Sequence, residues 1–585
     1  MKYFIWAGLF LSITFACLAN EPNPLLQHKR ADSRPLYMTT LEPPALHQTE
    51  PIGKNEALST DSNIETETVL AKKTKGIVLL GRKEDLNVVK NAEGVIIKDL
   101  VVPGNEQDLK DLLESNFIGE PLTLKRIGEI KKIILQYYVA HDNPIIVIEV
   151  PEQEISRGVL QLIIHNGKLG EVTFKGNQHF TSEELQKYIN LEKGNAIDYD
   201  VLMSDMEWLN RSPFHHSTLY VTPGLFPGTT NIEFDTTDRS PLNVYAGADN
   251  TGNRYTGFDR FYAGFTATRF FKLDHILNYQ FTGSNHWDRF QANVINYTIP
   301  LPWRHILLLV AGYEINKPKI HDFKARSNSL RTQIQYIIPL PTASRKLFHE
   351  VAIQLDFEDD LYKLDFVANN TSLSLQNVRA VKTDIALAYN GRLDTFPHRI
   401  LFSAQLYYSP GGWLPHQSNA TYQQLRPFAK NHYVFSDLYF EYDYTFSNGM
   451  LITQKLKGQI SSTNLVFNTY TIADYYSVRG YQDYFDRDNA FVYNLDWMSP
   501  AIRMGKTQSG SLRALAFFDY GIGSNHTLIP GERRSQYASS VGPGIRFNWD
   551  PYGWLRLDYG IPLQRLRFSP QGYTGWLQFG AFLNF

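Results

Sequence analysis

The sequence predicts a mainly β protein, a 16-stranded transmembrane β-barrel preceded by two small α+β modules, and three observations carry that prediction. From residue 239 to Phe585 there is almost no helical period; segments of roughly 10 to 14 residues instead alternate apolar and polar side chains between Gly, Pro, Asn and Asp turns. Aromatic residues make up 14% of the chain, with 34 Tyr and 36 Phe, although mean hydropathy is −0.30. Such a load suits strands that are apolar on one side and wet on the other. After residue 19 no run of about 18 apolar residues occurs, so a spanning helix is excluded and any membrane crossing must be made by a barrel.

In chain order, Met1 and Lys2 precede an apolar run from Tyr3 to Ala16 and then Cys17-Leu18-Ala19, the pattern of a secretory signal over residues 1–19. Cys17 is the only cysteine, so a chain cleaved after Ala19 holds no disulfide. A lipoprotein signal ending at Cys17 is the rival reading, disfavoured by Thr14 and Phe15 before it. Residues 20–74 carry Pro22, Pro24, Pro35, Pro43, Pro44 and Pro51 among polar residues and read as a flexible linker.

Residues 75–166 form a first module. Gly94 to Val102 reads as a strand, Glu106 to Phe117 and Leu122 to Ala140 have helical spacing, and Pro144 to Val150 and Gly158 to His165 read as strands. The same β-α-α-β-β order recurs over 167–238. A strand from Leu169 precedes a helix opened by a capping box at Thr181-Ser182-Glu183-Glu184, a second helix from Tyr199 to Asn210, and strands Ser217 to Val221 and Thr230 to Asp238.

Residues 239–585 form the barrel. Its segments begin near 241, 257, 274, 288, 303, 327, 347, 378, 397, 432, 449, 487, 511, 536, 552 and 574. In the last, Leu577, Phe579, Ala581, Leu583 and Phe585 share one face and Gln578, Gly580 and Asn584 the other; before it, Leu555, Leu557, Tyr559 and Ile561 alternate with Arg556, Asp558 and Gly560. Charged groups on one face of so long a strand require that face to line water, which leaves the apolar face to lipid. An even strand count returns the C-terminus to the side of the N-terminal modules. A soluble β-sandwich would need shorter strands and many more turns.

Formal net charge is −2 with 20% charged residues, which gives no electrostatic case for a nucleic-acid partner. Gly505-Lys506-Thr507 imitates the end of a phosphate-binding loop, but Pro500 stands where its first glycine belongs. His215-His216 lacks a third ligand at metal spacing and reads as part of a solvated loop. Gly521-Ile522-Gly523 reads as a strand-end turn, and Asn370-Thr371-Ser372 is a glycosylation sequon in form only. Neither G-x-S-x-G nor H-E-x-x-H occurs, so no enzyme, cofactor or metal is expected.

The longest connection of interest, residues 462–486 between the eleventh and twelfth strands, carries Val478-Arg479-Gly480-Tyr481. On the thirteenth strand Leu512, Ala514, Ala516 and Phe518 form the apolar face, so Arg513, Phe517 and Asp519 point into the lumen, followed by Gly521. A loop arginine and a lumen carboxylate can make a bidentate pair that pins the loop inside the pore. Lys455 and Lys457 alternate with Leu456 and Gly458 and face the same lumen, either easing a polar substrate through or simply solvating a wet interior.

At these residues the chain resembles the transporter component of two-partner secretion, in the superfamily of the barrel-assembly proteins. The V-R-G-Y loop, the F-x-D-x-G strand, two POTRA-like modules and 16 strands ending in Phe carry the resemblance. Pro151-Glu152-Gln153 with Gly158, Leu209-Asn210 with Pro213, and Pro223-Gly224 with Gly228 extend it through the modules. It implies export of a large haemolysin- or adhesin-like exoprotein without nucleotide hydrolysis. POTRA domains in the periplasm receive the unfolded partner, the barrel sits in the bacterial outer membrane, and Arg479 on the loop faces Asp519 and Phe517 on the wall. An exposed POTRA strand edge suits capture of an extended chain by main-chain pairing. The family often carries an N-terminal plug helix, for which residues 20–70 are too interrupted by proline. Besides the exoprotein the expected contacts are outer-membrane lipid and no nucleic acid, and the barrel is expected as a monomer. An outer-membrane assembly factor, with more POTRA modules than this chain has room for, and a passive porin or receptor are the alternatives.

Overall fold

The computed structural model describes residues 69–82, 85–86, 92–141, 145–226, 229–341, 347–368, 371–505, 510–529, 531–567 and 569–585. The signal segment, the plug-helix question, Gly228, Asn370 and Lys506-Thr507 lie outside them. The chain divides at residue 240 into two units.

The N-terminal unit opens with β1 (Gly76–Leu80), β2 (Gly94–Lys98), α1 (Glu106–Phe117), α2 (Leu124–Ala140), β3 (Ile146–Glu149) and β4 (Val159–Asn166). β1 lies in the middle of its sheet, parallel to β2 and β4, and β3 pairs antiparallel with β4. This central strand was not expected, because all five residues of Gly-Ile-Val-Leu-Leu are buried. A parallel strand covered on both faces has no alternation to read. Val69–Ala71, expected in the linker, pairs with Leu122–Thr123. Leu109, Leu113 and Phe117 of α1 and Ile127, Ile130 and Ile134 of α2 pack on Ile77, Leu79, Leu160 and Leu162. Asn105 and Thr123 cap the two helices by accepting from the backbone N–H of Gln107 and Arg126.

The second set comprises β5 (Lys168–Lys175), α3 (Ser182–Gln186), α4 (Tyr199–Leu209), β6 (His215–Pro223) and β7 (Thr229–Asp238), with β7 between β5 and β6. Thr181 and Glu184 form the capping box. His215 and His216 begin a strand instead of lying in a solvated loop. The two-residue period therefore puts them on opposite faces, and His215 is buried with its ring edge-on to Phe180 at 4.9 Å.

Two of the module motifs have a common physical role. Gln153 accepts from the Gln161 N–H at 2.7 Å and donates to its carbonyl at 2.7 Å. Asn210 does the same to Ser217, at 2.7 and 2.9 Å. Each side-chain amide takes the place of a neighbouring strand at one residue of β4 or β6. Gly158 has φ +81°, and a Cβ there would lie 2.3 Å from the Lys73 carbonyl oxygen.

The barrel strands are β8 (Leu242–Asp249), β9 (Arg260–Ala267), β10 (Ile276–Ser284), β11 (Phe290–Pro300), β12 (Ile306–Asn316), β13 (Phe323–Pro339), β14 (Leu347–Ala368), β15 (Thr371–Thr395), β16 (His398–Ser409), β17 (Tyr433–Thr445), β18 (Leu451–Ser461), β19 (Asn489–Met498), β20 (Gly510–Ser524), β21 (Ser535–Trp549), β22 (Gly553–Pro562) and β23 (Trp576–Asn584). Each pairs antiparallel with the next. β8 and β23 close the ring from Tyr245↔Asn584 to Asp249↔Gly580, extended by reciprocal backbone bonds between Val244 and Phe585. β14 and β15 run 22 and 25 residues, well beyond the expected length. They continue as one antiparallel hairpin to Ala368↔Thr371, past the point where β15 leaves β16 at Ile385↔Tyr408. A helix α5 (Asn419–Leu425), also not expected, sits between β16 and β17. Leu355, Leu387, Leu555, Tyr559, Ile561, Leu577 and Leu583 face outward and are exposed, whereas Asp519, Asp558 and Gln578 face inward and are buried. Among the described residues no helix is long and apolar enough to cross a membrane.

Asp238, at the end of β7, accepts from the backbone N–H of Gln178, His179 and Phe180 at 2.7–3.0 Å. Partial burial pushes its pKa up, but the N–H groups of Phe180, Gln178 and His179 together reverse this and hold it below the ordinary carboxylate value. The carboxylate therefore stabilises the fold above its unfolded pKa, and that contribution is lost as pH falls through the lowered folded value. Asp238→Asn is expected to cost about 1 kcal/mol, the site being partly screened by water. Amide exchange of residues 178–180 in the full chain, faster in the variant at pH 7 and converging with the native rate under strong acid, is the check.

Candidate functional site: a loop clamped inside the barrel

The connection from β18 to β19 does not stay outside the barrel. Its two legs pair as short strands, Tyr470–Ile472 with Phe485–Arg487, so the segment between them is presented on a stiff ribbon. At its tip Asp474 accepts from the N–H groups of Tyr476 (3.1 Å) and Ser477 (2.7 Å) and from the Ser477 hydroxyl, closing the turn that delivers Val478 and Arg479.

Arg479 is 7% exposed, and its donors are directed onto the wall. Its backbone N–H and Nε both donate to Asp519 Oδ2, at 3.0 and 2.7 Å, and Nη2 donates to Asp519 Oδ1 at 2.9 Å and to Asp496 Oδ1 at 2.5 Å. Nη1 lies 3.9 Å from Asp558 Oδ2, and Asp558 is itself held by Arg546 at 2.8 and 2.9 Å. The guanidinium carbon sits 3.8 Å from the centroid of the Phe517 ring. Asn494 completes the shell, donating to Asp519 at 2.8 Å and to the Ser477 carbonyl at 2.6 Å. A planar, permanently charged fork is the group that can satisfy two carboxylates and stack on a ring at once.

The rest of the motif is fitted as closely. Gly480 has φ +90°, donates its N–H to Gln578 at 2.9 Å and accepts from Gln571 at 2.7 Å. A Cβ on Gly480 would lie 2.6–2.7 Å from the backbone of Gly560, so two glycines let loop and wall backbones touch. The Tyr481 hydroxyl donates to the carbonyls of Ser539 (2.9 Å) and Gln564 (2.7 Å). Val478 is fully buried, packed with Ile472, Tyr481 and Val492, and a Cβ on Gly521 would lie 2.9 Å from it.

The structure thus brings together Val478, Arg479, Gly480, Tyr481, Phe517, Asp519 and Gly521. Lys457 is drawn into the same assembly, donating to the Tyr476 carbonyl at 2.6 Å, while Lys455 pairs with Glu441 on the neighbouring strand at 3.3 Å. Both are engaged with the barrel and its loop. Arg513 is apart from the cluster, its guanidinium 3.0 Å from the carbonyls of Gly449 and Ser499 at two turns. Gly521 lies within β20 and Gly523 within the same strand, so Gly521-Ile522-Gly523 is no turn. Asp496, Asn494, Asp558, Gln578 and Gly560 were not foreseen as site residues. Asp558, Gln578 and Gly560 stand on the polar phase of their strands, as does Asp496 on its own. The alternation marked them as lumen-facing without saying which of them the loop meets.

Residues 228–547 match the family model described as haemolysin secretion/activation protein ShlB/FhaC/HecB. The heme/hemopexin transporter protein HuxB of Haemophilus influenzae is 25% identical over 154 residues, 26% of this chain and 27% of that one. The match therefore spans about a quarter of that relative's length. The outer membrane transporter CdiB of Dickeya dadantii is 20% identical over 495 residues, 80% of each chain. Among solved structures, CdiB from Escherichia coli superposes with a TM-score of 0.68 at 13% identity, over 93% of this chain and 96% of that one. CdiB from Acinetobacter baumannii gives 0.58 at 15%, over 96% and 98%. At these identities the structures establish the shared fold.

Gly480→Ala is expected to unseat the loop tip while leaving the barrel closed, because the added methyl collides with the Gly560 backbone and φ +90° disfavours any side chain. Proteolysis within residues 473–484 should accelerate several-fold, with heat-modifiable gel mobility unchanged. Cleavage at the native rate would show that the contact is dispensable.

Proposed function

We propose, on the premise that the chain belongs to the ShlB/FhaC/HecB haemolysin secretion/activation family, that it is a two-partner secretion transporter which passes a large exoprotein through its barrel. It resides in the outer membrane, and its N-terminal modules are periplasmic. The clamp of Arg479 on Asp519 and Asp496 carries the reading, since a long loop fastened in the lumen by buried charge has to be displaced before a polypeptide can pass.

In this reading residues 75–166 and 167–238 are two POTRA domains and 239–585 the transporting barrel, which works as a monomer surrounded by lipid. The sheets of the two domains end in β2 and β3, and in β5 and β6. An unfolded exoprotein adds to such an edge through main-chain hydrogen bonds, with little demand on its sequence. In keeping with the family resemblance, export proceeds without nucleotide hydrolysis. The loop stands in its path, so the clamp alternates between the seated state and one in which the loop has yielded.

Breaking a buried charge pair from one side leaves uncompensated carboxylates, at about 3–5 kcal/mol. Arg479→Ala should therefore unseat the loop tip and reduce secretion of the partner exoprotein by at least roughly tenfold, with barrel insertion retained. Arg479→Lys should fail to restore it, because an ammonium cannot bridge Asp519 and Asp496. Native secretion by Arg479→Ala would refute the role of the clamp; no export by the native chain would refute the transporter reading itself.

A further inference from the structure

A second fastening joins the loops after β16, β18 and β20 through residues other than those of the Arg479 cluster. Because successive strands are antiparallel, these three connections leave the barrel at the same mouth. Arg426, just past α5 in the first of them, is 6% exposed, and Asp488 at the root of the long loop is fully buried. Arg426 donates to both Asp488 oxygens at 2.7 and 3.2 Å, to the Leu465 carbonyl at 2.5 Å and to Asn525 of the third loop at 2.9 Å. Asp488 in turn accepts from the N–H of Leu465 at 2.8 Å and of His526 at 2.9 Å.

A second buried side chain repeats the pattern. Asn464, in the long loop, donates to the carbonyls of Pro427 (3.1 Å) and Thr527 (3.0 Å) and accepts from the Thr527 N–H (2.7 Å). All three loops are thus joined twice through groups that water does not reach. Beneath them Tyr422, Leu425 and Ala429 of the first loop and Leu465, Val466 and Phe467 of the second pack in one apolar cluster with Tyr362, Tyr407, Tyr433 and Phe435 of the strands. Lumen faces of barrels are polar, and an apolar patch there is stable only while something covers it.

We propose that the Arg426–Asp488 pair is a mouth latch. It fastens three loops into one lid seated on the apolar patch, keeps the resting pore closed independently of the Arg479 clamp, and must part before a polypeptide can leave. The exit of a polypeptide rests on the function proposed above, but closure of the resting pore does not.

The test is ionic current through the purified full chain in planar bilayers with potassium chloride, which needs no exoprotein. Arg426→Ala and Asp488→Asn should each raise the occupancy of the open state roughly tenfold. The double variant should do no more than either alone, since both remove one unit. Arg379→Ala, which breaks an exposed pair with Asp359 on β14, should leave the current native. A role limited to folding would lower insertion without altering current per inserted barrel. Native current in inserted Arg426→Ala and Asp488→Asn overturns the latch and leaves the transporter reading intact. If Arg426→Ala does not insert, Asn525→Ala, which removes the third loop's acceptor for Arg426 together with a bond to Glu532 within that loop, is decided by the same two results.

Discussion

The constraint on which the rest depends is that a guanidinium taken into a barrel lumen must be fully hydrogen-bonded there. Desolvating it costs several kcal/mol unless carboxylates meet it in good geometry. Asp519 and Asp496 do so from β20 and β19, and Asp558 of β22 adds its charge 3.9 Å away, so one loop side chain engages three strands of the wall. That demand explains why Gly480 and Gly560 face each other. The fork reaches Asp519 only if the loop backbone comes within contact distance of β22, which a side chain on either residue would prevent.

Much of this was legible in the sequence because a barrel repeats a simple rule many times. The two-residue period located all 16 strands and separated Leu555, Tyr559 and Ile561 from Asp558 and Gly560, since lipid and water impose opposite demands on the two faces. It broke down where that contrast is absent. Gly76–Leu80 is covered on both faces and shows no alternation. The extension of β15 was missed on length instead: Ser372, Ser374 and Gln376 alternate with Leu373 and Leu375, which are exposed, but beyond the span expected of one strand. The V-R-G-Y and F-x-D-x-G motifs identified the two halves of the clamp, but Asp496 and Gln578 are single polar residues on polar strand faces. Only the barrel's closure brings β19, β20, β22 and β23 around one loop. Arg426 and Asp488 were invisible for the same reason, standing 62 positions apart in the chain.

The long loop is held along its whole length. Near its start Asn468 bonds Lys382 (3.1 Å) and Asp384 (2.9 Å) of β15, and its carbonyl accepts from Gln459 of β18 at 2.7 Å. Its tip is held by β19, β20, β22 and β23, and Asp483 on the return leg pairs with Arg254 in the connection between β8 and β9. A segment anchored to such widely separated strands crosses the lumen, and one released anchor leaves it tethered by the others.

That distribution bears on how such a loop could be moved if, as proposed, the chain passes a polypeptide without nucleotide energy. Expelled in one event, the loop would have to lose every buried hydrogen bond before water replaced any of them, and each bare group costs about 1–3 kcal/mol. Released in stages, each group passes to water or to the main chain of an arriving polypeptide as its partner leaves, and the net cost per bond falls to about 1 kcal/mol. An extended chain carries the donors and acceptors needed for that exchange at every residue. The same polar lumen that makes a seated Arg479 affordable therefore makes its stepwise displacement by a polypeptide affordable too, whereas a small solute, with few such groups, has no equivalent means of opening the path.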